Sequence, residues 1–237
     1  MSNCAPEWTK LFAAGDRLQQ SVQSDSLNWY QMLRILAVLA VLAAAGYGAE
    51  SADYDAARQG QLPPGWSTVS NKKWEVRADK TAPSHPNVLL SPSQPSAEGE
   101  SPIAIFDKVV CKDGDLSVKF RIDGSNGTDA AVGVVWRYQD VSNFYLLSMN
   151  DEGNVVLHRM RNGVSEVVSS GGREEIRPGQ WHLVKVAFRG PRIQVFFGNR
   201  SLFTADDAGL SVAGRTGVWV RGAHVAAFDD FRIDKKA

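Results

Sequence analysis

Asp113-Gly114-Asp115-Leu116-Ser117-Val118-Lys119-Phe120-Arg121-Ile122-Asp123-Gly124 decides the fold of this chain. Between two Asp-Gly pairs, Leu116, Val118, Phe120 and Ile122 alternate with Ser117, Lys119 and Arg121. Successive side chains of an extended strand point to opposite faces, so the segment has one apolar and one polar face. That is the pattern of an antiparallel strand packed on one side and solvated on the other. Asp-Gly tolerates positive φ and so suits the tight turns that end such strands.

The same reading extends outward. Val, Phe, Tyr and Trp gather in short runs separated by turn residues. Strands are expected at Lys73–Ala78, Asn87–Leu90, Ile103–Cys111, Leu116–Asp123, Ala131–Gln139, Asn143–Asn150, Val155–Arg161, Val164–Ser169, Trp181–Arg189, Arg192–Gly198, Thr216–Val220 and Val225–Ile233. Asn126-Gly127, Asp151-Glu152-Gly153, Asn162-Gly163, Gly190-Pro191 and Gly198-Asn199 supply turns. Many short strands and almost no helical spacing predict an all-β sandwich or barrel. Thr81–Pro102, rich in proline and serine, reads as an irregular surface loop around one short strand.

The N-terminal part differs. Met32-Leu33-Arg34 precedes an apolar run from Ile35 to Gly46 that ends in small residues. A basic residue, a short apolar core and a small-residue cleavage site form a secretory signal, with cleavage expected after Ala45 or Gly48. The run is shorter than the roughly 20 residues of a spanning helix. The alternative is an uncleaved signal anchor at 32–49. Residues 1–31 are polar and read either as an over-extended start or as an extension, with a short helix at Glu7–Leu18, ahead of an anchor; 50–237 is expected as the sandwich domain. The expected location is secreted or periplasmic. Of two cysteines, Cys4 and Cys111, only Cys111 belongs to that domain, so its core must hold it without a disulfide. Cys111 follows an apolar strand and reads as a buried, inert thiol.

Composition narrows the partners. Hydrophobic residues make up 43 %, too many for a disordered chain. Lys and Arg (26) balance Asp and Glu (26), which argues against a nucleic-acid binder. Membrane contact is expected only through the N-terminal segment.

Gly133-Val134-Val135-Trp136-Arg137-Tyr138-Gln139-Asp140, followed by Asn143-Phe144-Tyr145, resembles a signature of bacterial laminin-G-like and glycoside-hydrolase-16-like jelly rolls. Pro178-Gly179-Gln180-Trp181-His182, Gly214–Trp219 and Phe228–Ile233 fit the same pattern in order. The resemblance implies two stacked antiparallel sheets of concanavalin A-like type, one of them concave. It extends to the 3-keto-disaccharide hydrolase domain family. The Glu-x-Asp-x-x-Glu strand of the hydrolytic glucanases does not occur here. The matching strand Phe144–Asn150 carries no carboxylate, although retaining hydrolysis needs two.

Three sets of residues are candidate sites. Trp136, Tyr138, Phe144 and Tyr145 offer aromatic faces for sugar rings, with Arg137 and Asn143 for hydroxyls, or else they form core. His158, beside Arg159 and Arg161, groups with Trp219, Arg221 and His224 as a second set, read either as a site or as an exposed cationic hairpin. Asp229-Asp230, two acids in an apolar strand, either bond to backbone at a bulge or hold a structural Ca²⁺. The four histidines show no zinc spacing. The expected function is an exported carbohydrate-recognition domain that binds sugars or envelope glycans on its concave face. The alternatives are a 3-keto-glycoside hydrolase or lyase and a protein-interaction domain.

Overall fold

The computed structural model describes residues 48–52, 54–92, 102–123, 130–222 and 225–236. The leader, Cys4, the Asn126 turn and His224 lie outside the described residues. Among the described residues there are fifteen strands: β1 (Ala49–Ser51), β2 (Trp66–Thr68), β3 (Glu75–Ala78), β4 (Asn87–Leu90), β5 (Ile103–Cys111), β6 (Asp113–Asp123), β7 (Ala131–Asp140), β8 (Asn143–Asn150), β9 (Asn154–Arg161), β10 (Val164–Arg173), β11 (His182–Arg189), β12 (Arg192–Phe197), β13 (Arg200–Asp206), β14 (Gly214–Arg221) and β15 (Val225–Lys236).

They form two antiparallel sheets. One runs β13-β12-β11-β6-β15-β4-β3, with β1 also on β15; the other runs β10-β9-β8-β7-β14-β5-β2. The apolar face of β6 (Leu116, Val118, Phe120, Ile122) packs inward, as its alternation requires, with Val184, Val186 and Phe188 of β11. Facing them are Val132, Val134 and Trp136 of β7 and Tyr145, Leu147 and Met149 of β8. This interlayer cluster is the core of a two-sheet sandwich. Cys111 sits in it, 1 % exposed, and burial pushes its thiol up to about 11.

Two bulges re-aim side chains. In β7 the pairing moves from Gly217–Val135 to Arg215–Tyr138, so three steps on β7 oppose two on β14. The extra residue is Arg137, at φ 47°. In β15 three steps from Asp229 to Arg232 oppose two on β6, and the extra residue is Asp230, at φ 51°. Each bulge lets a strand carry side chains inward out of strict alternation: Trp136 with Arg137, and Phe228 with Phe231.

Three strands depart from the expected set. β1 is exposed along its length and β2 has three residues, so neither carries a pattern. β13 pairs with β12 across a register shift at Val195–Phe196. Leu202, Phe203 and Ala205 all pack against the core, and Leu202 with Phe203 breaks the period of two. β4, the short strand expected within the Thr81–Pro102 loop, lies inside the eight-stranded sheet with Val88 and Leu89 fully buried.

Candidate functional site

The outer face of the seven-stranded sheet is not plainly polar. β8 places Phe144, Leu146, Ser148 and Asn150 there by alternation, opposite the inward Tyr145, Leu147 and Met149. Across the sheet, Ser148 pairs with Gly133, Gly133 with Trp219, and Trp219 with Ile103. Leu146 pairs with His158 on the other side. Ile103, Ile105, Val135, Tyr138, Phe144, Leu146 and Trp219 form an apolar cluster of their own. These residues are themselves buried, so the outer face of this sheet carries a second, smaller core.

A cleft of about 480 Å³ opens on this cluster, between Val69–Asn71 and Ser165. Trp219, Leu146 and Met160 contribute the apolar part, and Ser148, His158 and Arg221 the polar part. A second cleft of about 350 Å³ shares Ser148, His158 and Arg221 and continues to Asn150 and Asn154. Together they follow β8 from Phe144 to Asn150, six residue steps or about 20 Å of strand.

Ser148 Oγ lies 3.1 Å from His158 Nε2 and 3.4 Å from the Val156 carbonyl. Burial lowers the His158 pKa from its ordinary value, and the Arg221 charge lowers it further. The imidazole is therefore neutral at neutral pH. Trp219 is 4 % exposed, with its indole edge seated over Gly133, where a Cβ would stand 3.2 Å from Cε3. The Arg221 guanidinium carbon stands 5.8 Å from the Trp219 ring centroid. An arginine resting on an indole is a held, planar cation.

The structure brings His158, Trp219, Arg221 and Phe144 to one cleft and places Trp136, Arg137, Tyr138, Asn143 and Tyr145 outside it. Trp136 is fully buried between the sheets, stacked on Tyr145 at 5.4 Å and on Phe188 at 6.0 Å. The Tyr145 hydroxyl donates to Asp207 and accepts from the Leu210 amide. Burial, with the Asp207 bond, pushes it up to about 12. Asp207 thus ties β8 to the segment after β13 and also binds Arg159.

Arg137 does not line the outer face. Its guanidinium donates to the carbonyls of Lys112 (2.8 Å), Leu210 (2.8 Å) and Gly190 (2.7 Å) and pairs with Asp113 at 3.2 Å. It is a buried clamp, and the bulge explains why alternation misplaces it. Tyr138 returns to the outer face but is buried against Phe144, under Arg215. Asn143 holds the β7–β8 turn through Asp140 and accepts from the Asn162 amide.

Asp229 and Asp230 do not fit a cation. Asp229 is 1 % exposed, and its carboxylate receives the Ser84 amide and hydroxyl and the Asp230 amide, each at 2.8 Å. Asp230 turns to Lys119 at 2.8 Å. Donors aimed at the carboxylate take the place a cation would need. No three His, Cys, Asp or Glu converge elsewhere among the described residues.

No family model and no curated protein matches the sequence. Solved structures do resemble it. The carbohydrate-binding module CBM66 from Bacillus subtilis is 20 % identical, covers 71 % of this chain and 94 % of its own, and has a TM-score of 0.57. The apo Crh5 transglycosylase is 12 % identical over 80 % of this chain and 85 % of its own, with a TM-score of 0.55. A prokaryotic β-1,3-1,4-glucanase (lichenase) derived from a mouse hindgut metagenome is 9 % identical over 81 % and 100 %, with a TM-score of 0.51. At these identities the likeness speaks for architecture, and the architecture is the concanavalin A-like jelly-roll sandwich.

Proposed function

We propose that this chain is an exported carbohydrate-recognition domain that binds a glycan in the groove on the outer face of its seven-stranded sheet. The observation that carries the reading is the lining: an apolar strip ending on Trp219 beside the polar set Ser148, His158 and Arg221, with no Asp or Glu among the described residues of either cleft. Sugar rings offer apolar faces rimmed by hydroxyls, and such a strip with polar edges meets both. The fold likeness to a carbohydrate-binding module agrees.

The lining favours recognition over turnover. Among the described residues of the lining, the two-carboxylate route of hydrolysis finds no carboxyl group. The Ser148–His158 pair is no hydrolytic dyad either. Backbone amides on both sides of Ser148 belong to ladders with β7 and β9, which leaves none to stabilise an oxyanion.

A thermal-shift screen of the purified protein against glycans tests the reading. A ligand at 100 times its Kd stabilises the folded state by about 2.7 kcal/mol. For a domain of this size that is a rise of about 5–10 °C in Tm. Loss of the rise in His158→Ala, with the unliganded Tm retained, supports the groove. No shift with any glycan refutes the reading. Export is tested by N-terminal sequencing of protein from the extracytoplasmic fraction, where Gly46 or Ala49 is the expected first residue.

A further inference from the structure

We infer that the outer face of the eight-stranded sheet carries a second saccharide site, separate from the groove above, for a sugar whose acidic substituent lies over Ser117 between Lys185 and Arg232. A cleft of about 450 Å³ opens on this face across β12, β11, β6 and β15. Register sets its central row. Phe196 pairs with Lys185, Lys185 with Ser117, and Ser117 with Arg232. Their chain neighbours Val195, Val184, Leu116 and Ile233 are buried in the core, so alternation sends these four side chains outward. Three strand spacings separate Phe196 from Arg232, about 14 Å.

Phe196 sets this face apart from ordinary solvated sheet. Val195 before it is fully buried, and Phe197 after it packs on the core and stacks on His182. Phe196 joins no apolar cluster among the described residues, stays partly exposed and lines the cleft. A ring with no core to fill presents its face to the apolar face of a sugar.

The charges beside it select an acidic sugar. Lys185 and Arg232 stand one strand to either side of Ser117. Neither makes an ion pair or a side-chain hydrogen bond among the described residues. The two carboxylates of the cleft are already engaged. Asp115 pairs with Arg189 at 2.6 Å and Lys236 at 3.5 Å, and Asp234 pairs with Lys236 at 2.6 Å. The Lys236 bond first, with the Arg232 charge adding to it, holds the Asp234 carboxyl below its ordinary value. Arg189 and Lys236 thus balance the two acids, and Lys185 and Arg232 remain in excess. An ammonium and a guanidinium on either side of a hydroxyl suit an oxyanion: a point charge, two parallel N–H donors and one O–H donor. With the groove on the other sheet, the domain has a glycan site on each face and can bridge two chains. The bridging rests on the recognition reading above; the cleft does not.

The test is calorimetric titration of the purified protein with an oligogalacturonate, a sulfated oligosaccharide and a neutral cello-oligosaccharide of matched length. The two acidic probes separate carboxylate from sulfate recognition. Lys185→Gln and Arg232→Gln are each expected to weaken binding of the acidic probe about 3- to 10-fold, because both cations are solvent-accessible and partly screened. The double variant Lys185→Glu with Arg232→Glu is expected to abolish it. Phe196→Ala is expected to weaken both acidic probes alike, since it acts on the sugar ring and not on the charge. The single variants keep the test decisive if the double variant does not fold. Acidic binding that survives His158→Ala and is lost in the double variant supports the second site. Acidic binding lost in His158→Ala and kept in the double variant puts the ligand in the groove, which overturns the second site and leaves recognition by the groove standing. No binding of either acidic probe also overturns the second site.

Discussion

Replacing Arg137 by Met keeps the length of the side chain and removes the clamp. Three carbonyls lose their donor, and Asp113 loses its buried partner. Breaking a buried ion pair from one side costs about 3–5 kcal/mol, because the remaining groups stay desolvated. The stacked Tyr145 and Phe188 rings, 5.9 and 5.6 Å from the guanidinium carbon, accept the Met side chain without a large cavity, so no further term is added. At about 2–4 °C per kcal/mol for a domain of this size, Tm falls by about 6–20 °C. Urea unfolding followed by tryptophan fluorescence measures the same loss as a lower midpoint with an unchanged m-value. A second comparison isolates the backbone. Arg137→Ala and Arg137→Gly both remove the side chain, but glycine accepts φ 47° without strain. The glycine variant is therefore more stable than the alanine variant by about 1 kcal/mol. An Arg137→Met variant within 1 kcal/mol of wild type (about the size of an ordinary substitution) would refute the clamp. A glycine variant weaker than alanine would refute the bulge.

At Gly133 an added Cβ stands 2.5 Å from the Leu147 carbonyl oxygen and 2.8 Å from Leu146 Cδ1, so Gly133→Ala should cost about 1–3 kcal/mol. It should also displace Trp219, visible as a change in its fluorescence; an unperturbed variant contradicts the close packing. Burial alone would raise the Asp79 carboxyl, but bonds from Arg121 and Thr81 hold it at about 2, against 3.8 unfolded. The unfolded chain takes up this proton first, so the stability from Asp79 is complete above about 3.8 and is lost as pH falls toward about 2. Urea midpoints across that window should converge for wild type and Asp79→Asn; a constant difference rules the linkage out. In a Cys4→Ser background, Cys111 should ignore Ellman's reagent until the protein unfolds, because its thiol is buried and raised to about 11. Labelling at the native rate of a surface thiol would contradict that burial.

Most of the sandwich is legible in the sequence because period-two burial writes itself into composition. β5, β8 and β4 have the expected bounds, and the apolar face of β6 lies inward. The missing strands are those without a pattern: β1 is exposed on both faces and β13 presents Leu202 and Phe203 in succession. The candidate site is only half legible. Alternation along Phe144–Asn150 puts Ser148 on the same face as Leu146, and His158 follows from its strand. The sequence leaves the aromatic cluster open between a ligand face and core, because alternation cannot say which face of a strand is the core when both are apolar. Trp136 and Tyr145 face the partner sheet, while Tyr138 and Phe144 face outward. Arg137 was misplaced for a different reason. A bulge at a non-glycine residue leaves no local signal, and only the carbonyls of Lys112, Gly190 and Leu210, distant in sequence, justify its conformation.

The first and last strands of the sandwich are bonded to each other, Ala49 to Asp234 and Ser51 to Arg232. Because the pairing is antiparallel, tension applied to the two ends of the domain pulls at the same end of this short ladder. Load falls on one pair at a time, so β1 unzips rather than shears. Its exposed side chains add nothing to hold it. The peeling stops after three residues, about 10 Å of chain. There the Ala52 amide bonds to Phe231 and Tyr54 is locked in the core beneath Asn87. Under pull from its ends, the domain yields a short compliant step before the sandwich itself bears force.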